Sequence, residues 1–247
     1  MSTIEAKGIV IRQTDYGEAN RMLTIFTKEY GIIKAAARGV RKVKSRQAAA
    51  SQFLCYSDLN LYKGTSDIVT LNSAQTIESF YPICEDIEKL ALFTYLSDVT
   101  AYLVGEGNPD EEILRLFLNT LYLCAYEKLP PLMAKVVYEL RVMAYSGYAP
   151  DLSACASCKD SDIRWFDTRS AHAFCDRCVH RKNGMYALSK DMAQALLYIL
   201  SAPEKKMFSF RATDALLERL STVSESYVRD QAEKDFPSLA YLKKLLT

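Results

Sequence analysis

The stretch Arg21-Met22-Leu23-Thr24-Ile25-Phe26-Thr27, followed through Lys28 by Glu29-Tyr30-Gly31 and then Ile32-Ile33-Lys34-Ala35, decides how the first part of this chain folds. Two runs rich in apolar and β-branched residues flank a short segment with turn residues, which is the pattern of a hairpin. The pattern continues outward. Gly8-Ile9-Val10-Ile11 precedes it, Phe53-Leu54-Cys55-Tyr56-Ser57-Asp58-Leu59-Asn60-Leu61-Tyr62 and Ile68-Val69-Thr70-Leu71 follow it, and Tyr16-Gly17-Glu18 and Lys63-Gly64-Thr65-Ser66-Asp67 supply further turns. Five strands between residue 4 and about residue 76 fit a small antiparallel barrel. The pattern leaves an OB-fold, a small barrel associated with nucleic acid, open beside an SH3-like barrel.

Between the third and fourth strands runs Arg38-Gly39-Val40-Arg41-Lys42-Val43-Lys44-Ser45-Arg46, which with Lys34 gives six cations in 13 residues and no acid. A cationic run is often only a solvated, mobile loop. Beside a small barrel it also suits a phosphate backbone, because charge neutralisation needs no fixed base geometry. Lys34, Arg38, Arg41, Lys42, Lys44 and Arg46 are therefore the candidate nucleic-acid contacts. Tyr16, Tyr30, Tyr56 and Tyr62 offer stacking faces nearby, although a lone tyrosine is more often part of the core. The wider charge distribution agrees: residues 1–50 carry ten Lys/Arg against four Asp/Glu, whereas residues 78–112 carry nine acids against Lys89 alone. An anionic partner for the first segment follows from this asymmetry.

From Pro82 onward the periodicity turns helical. Residues 84–104 are apolar on more than one face, with Ile87, Leu90, Ala91, Leu96 and Val99 among them, and Gly105 to Pro109 end the segment. Asp110, Glu111 and Glu112 then fall in the first turn of a second helix, where they complement its dipole. A third helix follows Pro130-Pro131 and stops before Gly147 and Pro150. Ser189 is an N-cap candidate for a helix ended by Pro203, and two more helices are expected at 213–231 and 239–246. At 247 residues and 49% apolar content the chain is long enough for two domains. The expected division is a barrel at 1–80 and a mainly helical domain at 81–247, with a small module inserted at about 151–182.

That module is defined by Cys155-Ala156-Ser157-Cys158 and Cys175-Asp176-Arg177-Cys178. Two Cys-x-x-Cys turns bring four thiolates to one tetrahedral Zn²⁺, and with every position filled by protein the metal is structural rather than hydrolytic. His172 and His180 are not needed as ligands, and Arg177, Arg181 and Lys182 either offset the negative charge of the site or touch phosphate. Thiol redox chemistry fits less well, since one pair would suffice and neither lies in a βαβ context. Cys55, Cys84 and Cys124 read as core thiols. No phosphate-binding glycine loop, signal peptide or bilayer-spanning run is seen, so a cytoplasmic protein that is not an enzyme is expected.

Tyr16-Gly17-Glu18-Ala19-Asn20-Arg21 with Phe26 to Gly31, Ala37-Arg38-Gly39-Val40-Arg41-Lys42 with Lys44-Ser45-Arg46, and Tyr138-Glu139-Leu140-Arg141 with Gly147-Tyr148-Ala149-Pro150-Asp151-Leu152 and Cys155 together resemble the DNA repair protein RecO family of bacterial recombination mediators. The resemblance covers nearly the whole chain. It implies a multidomain α+β protein with an N-terminal five-stranded OB-fold, a helical C-terminal domain and an inserted Cys₄ zinc module. It further implies binding of single- and double-stranded DNA, annealing of complementary strands, and work with RecR, and in some species RecF, in loading RecA onto strands coated by single-strand-binding protein near the nucleoid. In some relatives the helical domain meets the acidic, apolar tail of that coating protein; Lys135 and Arg141 are weak candidates for such a contact here, and the partner-binding surface is otherwise unassigned. A competing reading is a zinc-containing protein–protein adaptor whose DNA contact is incidental.

Overall fold

Five strands, β1 (Ser2–Tyr16), β2 (Asn20–Thr27), β3 (Gly31–Ala37), β4 (Tyr56–Lys63) and β5 (Val69–Glu78), form the first part of the computed structural model, which describes residues 2–245. The period-two pattern places Leu23, Ile25, Ala35, Leu59, Leu61 and Leu71 inside one apolar cluster. Thr24, Lys34 and Asp58, one step out of phase, stay partly or fully exposed. Each large aliphatic side chain buried in this way contributes about 1.5–3 kcal/mol.

β1 is long enough to pair with β4 along its first half and with β2 along its second, and the register slips at Ile11, between Val10 and Arg12. The barrel closes in the order β1-β2-β3-β5-β4. Four of its pairings are antiparallel. The fifth, between β3 and β5, is a short parallel one through Ala35–Val69 and Ala36–Thr70, where an all-antiparallel barrel was expected. The connection of residues 38–55 is the reason: it carries the chain from β3 across to a strand that pairs with β1, so β5 is left to close on β3. This is the Greek-key order of an OB-fold. The fourth strand begins at Tyr56 rather than Phe53, because Leu54 turns the backbone at φ 64° and donates its N–H to the Val10 carbonyl at 2.8 Å.

Three helices follow, α1 (Tyr81–Cys84), α2 (Ile87–Val104) and α3 (Glu111–Tyr126). Asp86 and Asp110 cap α2 and α3 through side-chain oxygens that accept backbone N–H bonds, the latter from Ile113 at 2.9 Å. Phe93, Tyr95, Leu96 and Val99 of α2 are all fully enclosed. Cys55 and Cys124 are buried as expected, and burial pushes the Cys124 thiol up to about 12. Cys84 is exposed instead, since α1 is a single turn too short to enclose it.

The remaining elements are α4 (Pro131–Tyr145), the short strands β6 (Trp165–Asp167), β7 (His172–Phe174) and β8 (Tyr186–Ala187), then α5 (Lys190–Ser201), α6 (Asp214–Ala232) and α7 (Pro237–Leu245). Ser189 caps α5 by accepting from the Met192 N–H at 3.3 Å. Leu246, the expected last residue of α7, lies outside the described residues.

The expected boundary at residue 80 is where strand gives way to helix, but compactness divides the chain elsewhere. One unit comprises Met1–Lys128 with Ser238–Thr247, and the other Leu129–Pro237. α2 and α3 belong with the barrel. Arg12 of β1 pairs with Asp98 of α2 at 2.5 Å, Lys28 pairs with Glu111 at 3.1 Å, and the Tyr126 hydroxyl donates to Glu78 at 2.9 Å. The loop after α2 also seats on β3, where Gly31 at φ +63° lies so close to Asn108 that an added Cβ would overlap its carbonyl. Among the described residues no helix is long and apolar enough to cross a membrane.

Candidate metal centre and nucleic-acid interface

The two Cys-x-x-Cys turns lie at the end of the three-stranded sheet, whose order is β7-β6-β8. In the first turn Lys159 donates its N–H to the Cys155 carbonyl at 2.9 Å, and in the second Cys178 and Val179 donate to the Cys175 carbonyl at 3.2 and 3.1 Å. The Ala156 N–H bonds the Ala173 carbonyl at 2.8 Å and ties the two turns together. As a result the four sulfurs of Cys155, Cys158, Cys175 and Cys178 lie within 4.8 Å of one another, and Cys158 Sγ is 3.6 Å from Cys175 Sγ. A tetrahedral site with metal–sulfur bonds of about 2.3 Å places its sulfurs roughly 3.8 Å apart, so this donor set fits a thiolate-bound metal.

The electrostatics of the cluster divide its thiols. Backbone N–H groups of Cys158 and Cys175 aimed at the Cys155 sulfur lower its thiol to about 6. Burial raises Cys175, yet hydrogen bonds from the Cys178 backbone and the Cys158 side chain outweigh it and leave that thiol lowered. Cys178 is pushed up to about 12 by its hydrogen bonds with Cys158 and Cys175. Four sulfurs this close ionise together only with a cation among them. Arg177 supplies nearby charge, bonding Asp160 at 2.6 Å and the Cys175 sulfur, while Lys182 sits 4.6 Å over the Trp165 ring. Neither His172 nor His180 joins the cluster. Asp160 carries no signal in the sequence beyond a turn, since its arginine partner is 17 residues away.

The cationic loop is less free than its composition implies. Gly39 donates its N–H to Asn20 Oδ1 at 2.9 Å, Arg41 donates its N–H to the Ala19 carbonyl at 3.1 Å, and Val40 is buried in the barrel cluster. These bonds pin the loop's root to the β1–β2 turn. Arg41 itself pairs with Asp15 at 3.3 Å, and Lys34 pairs with Glu106. Arg38, Lys42, Lys44 and Arg46 are exposed and form no ion pair among the described residues. The six expected contacts thus divide into two cations held by acids of the same chain and four turned to solvent. Tyr16, Tyr30 and Tyr62 are exposed, and Tyr56 is half-buried.

Comparison with known sequences places these features in a family. Residues 1–80 match the family model described as Recombination protein O N terminal, and residues 84–240 match Recombination protein O C terminal. The chain belongs to the RecO family. It is 36% identical over 247 residues to the DNA repair protein RecO of Acetivibrio thermocellus, covering 99% of this chain and 98% of that one. With its counterpart in Alkaliphilus metalliredigens it shares 31% identity over 245 residues, 98% of this chain and 99% of the relative.

Lys135 and Arg141 were only weak candidates for a contact with an acidic tail, and the structure removes both. Lys135 is 2% and Arg141 7% exposed. Lys135 is enclosed by Glu139 and Ser221 at 3.0 Å each, and Arg141 donates to the carbonyls of Leu200 at 2.7 Å and Ala202 at 2.6 Å, closing the end of α5. Both are α4 residues turned toward the helices packed around them, which a run of helical periodicity does not reveal.

Proposed function

We propose that this RecO-family protein is a non-enzymatic recombination mediator that binds single- and double-stranded DNA through its barrel, anneals complementary strands, and acts in the bacterial cytoplasm with RecR, in some species with RecF, to help load RecA onto strands coated by single-strand-binding protein. The observation that carries this reading is the set of four unpaired cations, Arg38, Lys42, Lys44 and Arg46, on a loop whose root is pinned to an OB-fold. Phosphate neutralisation at that loop lowers the repulsion between two strands, and base pairing then supplies the specificity. The Cys₄ cluster holds one structural Zn²⁺, which shapes its module and takes no part in annealing.

The test is the salt dependence of binding. Four duplex phosphate contacts give a slope of log affinity against log salt of about −3.6, at roughly −0.9 per contact, and a shallower one on single strands. Replacing Arg38, Lys42, Lys44 and Arg46 together with Ala should flatten that slope, weaken binding to every sequence and slow annealing of complementary strands, with or without single-strand-binding protein. Affinity and slope unchanged in this variant would remove the loop from the reading.

A further inference from the structure

On the barrel unit, the second half of β1, the turn segment before β4, α1 and the start of α2 border an open groove of about 690 Å³. Its walls are mainly apolar, with Ile11, Phe53, Tyr81 and Leu90 facing Gln13 and Ser79. The bulge at Ile11 shifts the β1 register at this point, the kind of irregularity that re-aims side chains. Two details bear on what the groove could hold. Arg12 and Asp98, the charged residues of the lining, pair with each other, so the groove offers no net charge to a phosphate. The Tyr81 ring, by contrast, is 62% exposed, and Phe53 is partly exposed. Accessible aromatic faces in a groove without net charge suit a flat, stacking ligand.

The groove also continues from the cationic loop. Ala49 and Gln52 line it, and Arg46 precedes Ala49 by three residues, a chain distance of at most about 11 Å. A strand held by its phosphates at Arg46 therefore passes within reach of the groove. We propose that the groove captures an unpaired nucleobase of single-stranded DNA, with Tyr81 and Phe53 as stacking faces. This rests on the reading that the cationic loop binds DNA. Bases in a duplex are stacked and paired and enter only after extrusion, so the groove favours single strands.

The experiment compares the full-length, zinc-loaded protein with Phe53→Ala/Tyr81→Ala on a fluorescent single-stranded oligonucleotide and on the matching duplex. Loss of base stacking should weaken single-strand binding about fivefold or more, leave its salt slope unchanged because no phosphate contact is removed, and leave duplex affinity as it was. Cys84 lines the groove and is exposed, which gives a second readout that needs no variant. Its modification by maleimide, mapped by mass spectrometry, should be slowed by the single strand but not by an abasic strand of equal charge. Unchanged single-strand affinity in the variant, the result expected if an apolar peptide is the occupant, overturns the proposal; so does equal protection by the abasic strand. A variant that also loses duplex binding has lost its fold, and Cys84 protection then decides. Wild-type protein that binds neither DNA would instead sink the reading of the loop itself.

Discussion

At position 135 an ammonium group is enclosed by Glu139 Oε1 at 3.0 Å, Ser221 Oγ at 3.0 Å and Glu225 Oε2 at 3.5 Å, while Ser224 donates to Glu139 Oε2 at 2.6 Å. Desolvating two charges costs several kcal/mol each, so such a pair persists only when its remaining hydrogen bonds are met, as they are here. Removing one partner is the costly change. Lys135→Met should destabilise the protein by about 3–5 kcal/mol by taking the ammonium away from the buried Glu139 carboxylate, and Lys135→Met/Glu139→Leu should recover most of that loss. Urea unfolding followed by circular dichroism measures both, and equal destabilisation by the single and double variants would show that packing rather than charge decides. The spacing of Lys135 and Glu139, one helical turn apart, was legible in the sequence. Their burial was not, because it depends on α6, whose Ser221 lies 86 residues downstream.

The four-cysteine module shows the same division at the scale of an element. Its cysteine spacing announced four converging thiols, and they converge to within 4.8 Å. Its strands, of three, three and two residues, are too short to hold a sheet by their own hydrogen bonds. Phe166, packed 5.5 Å from the Tyr227 ring of α6, anchors one side, and the Cys₄ cluster is left to fix the other. Cys175→Ser, or a strong chelator, should therefore release bound zinc and collapse hydrogen-exchange protection across residues 151–187, while low-salt DNA binding by the barrel is retained. Protection that survives metal removal would mean that the packing of Phe166 suffices. Arg177 was read as offsetting the charge of the site or touching phosphate, but its bond to Asp160 was not foreseen, since that partner lies 17 residues away.

At the scale of the whole molecule, the charge asymmetry between residues 1–50 and 78–112 was read as pointing to an anionic partner, and the structure answers part of it within the chain. Lys28 pairs with Glu111, Lys34 with Glu106 and Arg12 with Asp98, all between the barrel and the α2–α3 segment. Exposed pairs of this kind contribute only about 0–1 kcal/mol each, but they withhold three cations from phosphate. The change of periodicity near residue 80 marks where strand becomes helix; it carries no information on which helices pack against the strands, and compactness extends that unit to Lys128. A fragment of residues 1–128 should therefore unfold cooperatively on heating and keep the salt slope of the full chain. A fragment of residues 1–80 should lose cooperative unfolding, because the barrel surface covered by α2 becomes exposed. Where it stays soluble, its duplex-binding slope should steepen by up to about 2.7, at roughly 0.9 for each of the three cations released from its acid. Cooperative melting of 1–80 together with the slope of the longer fragment would show that the acidic helices neither support the barrel nor temper its charge.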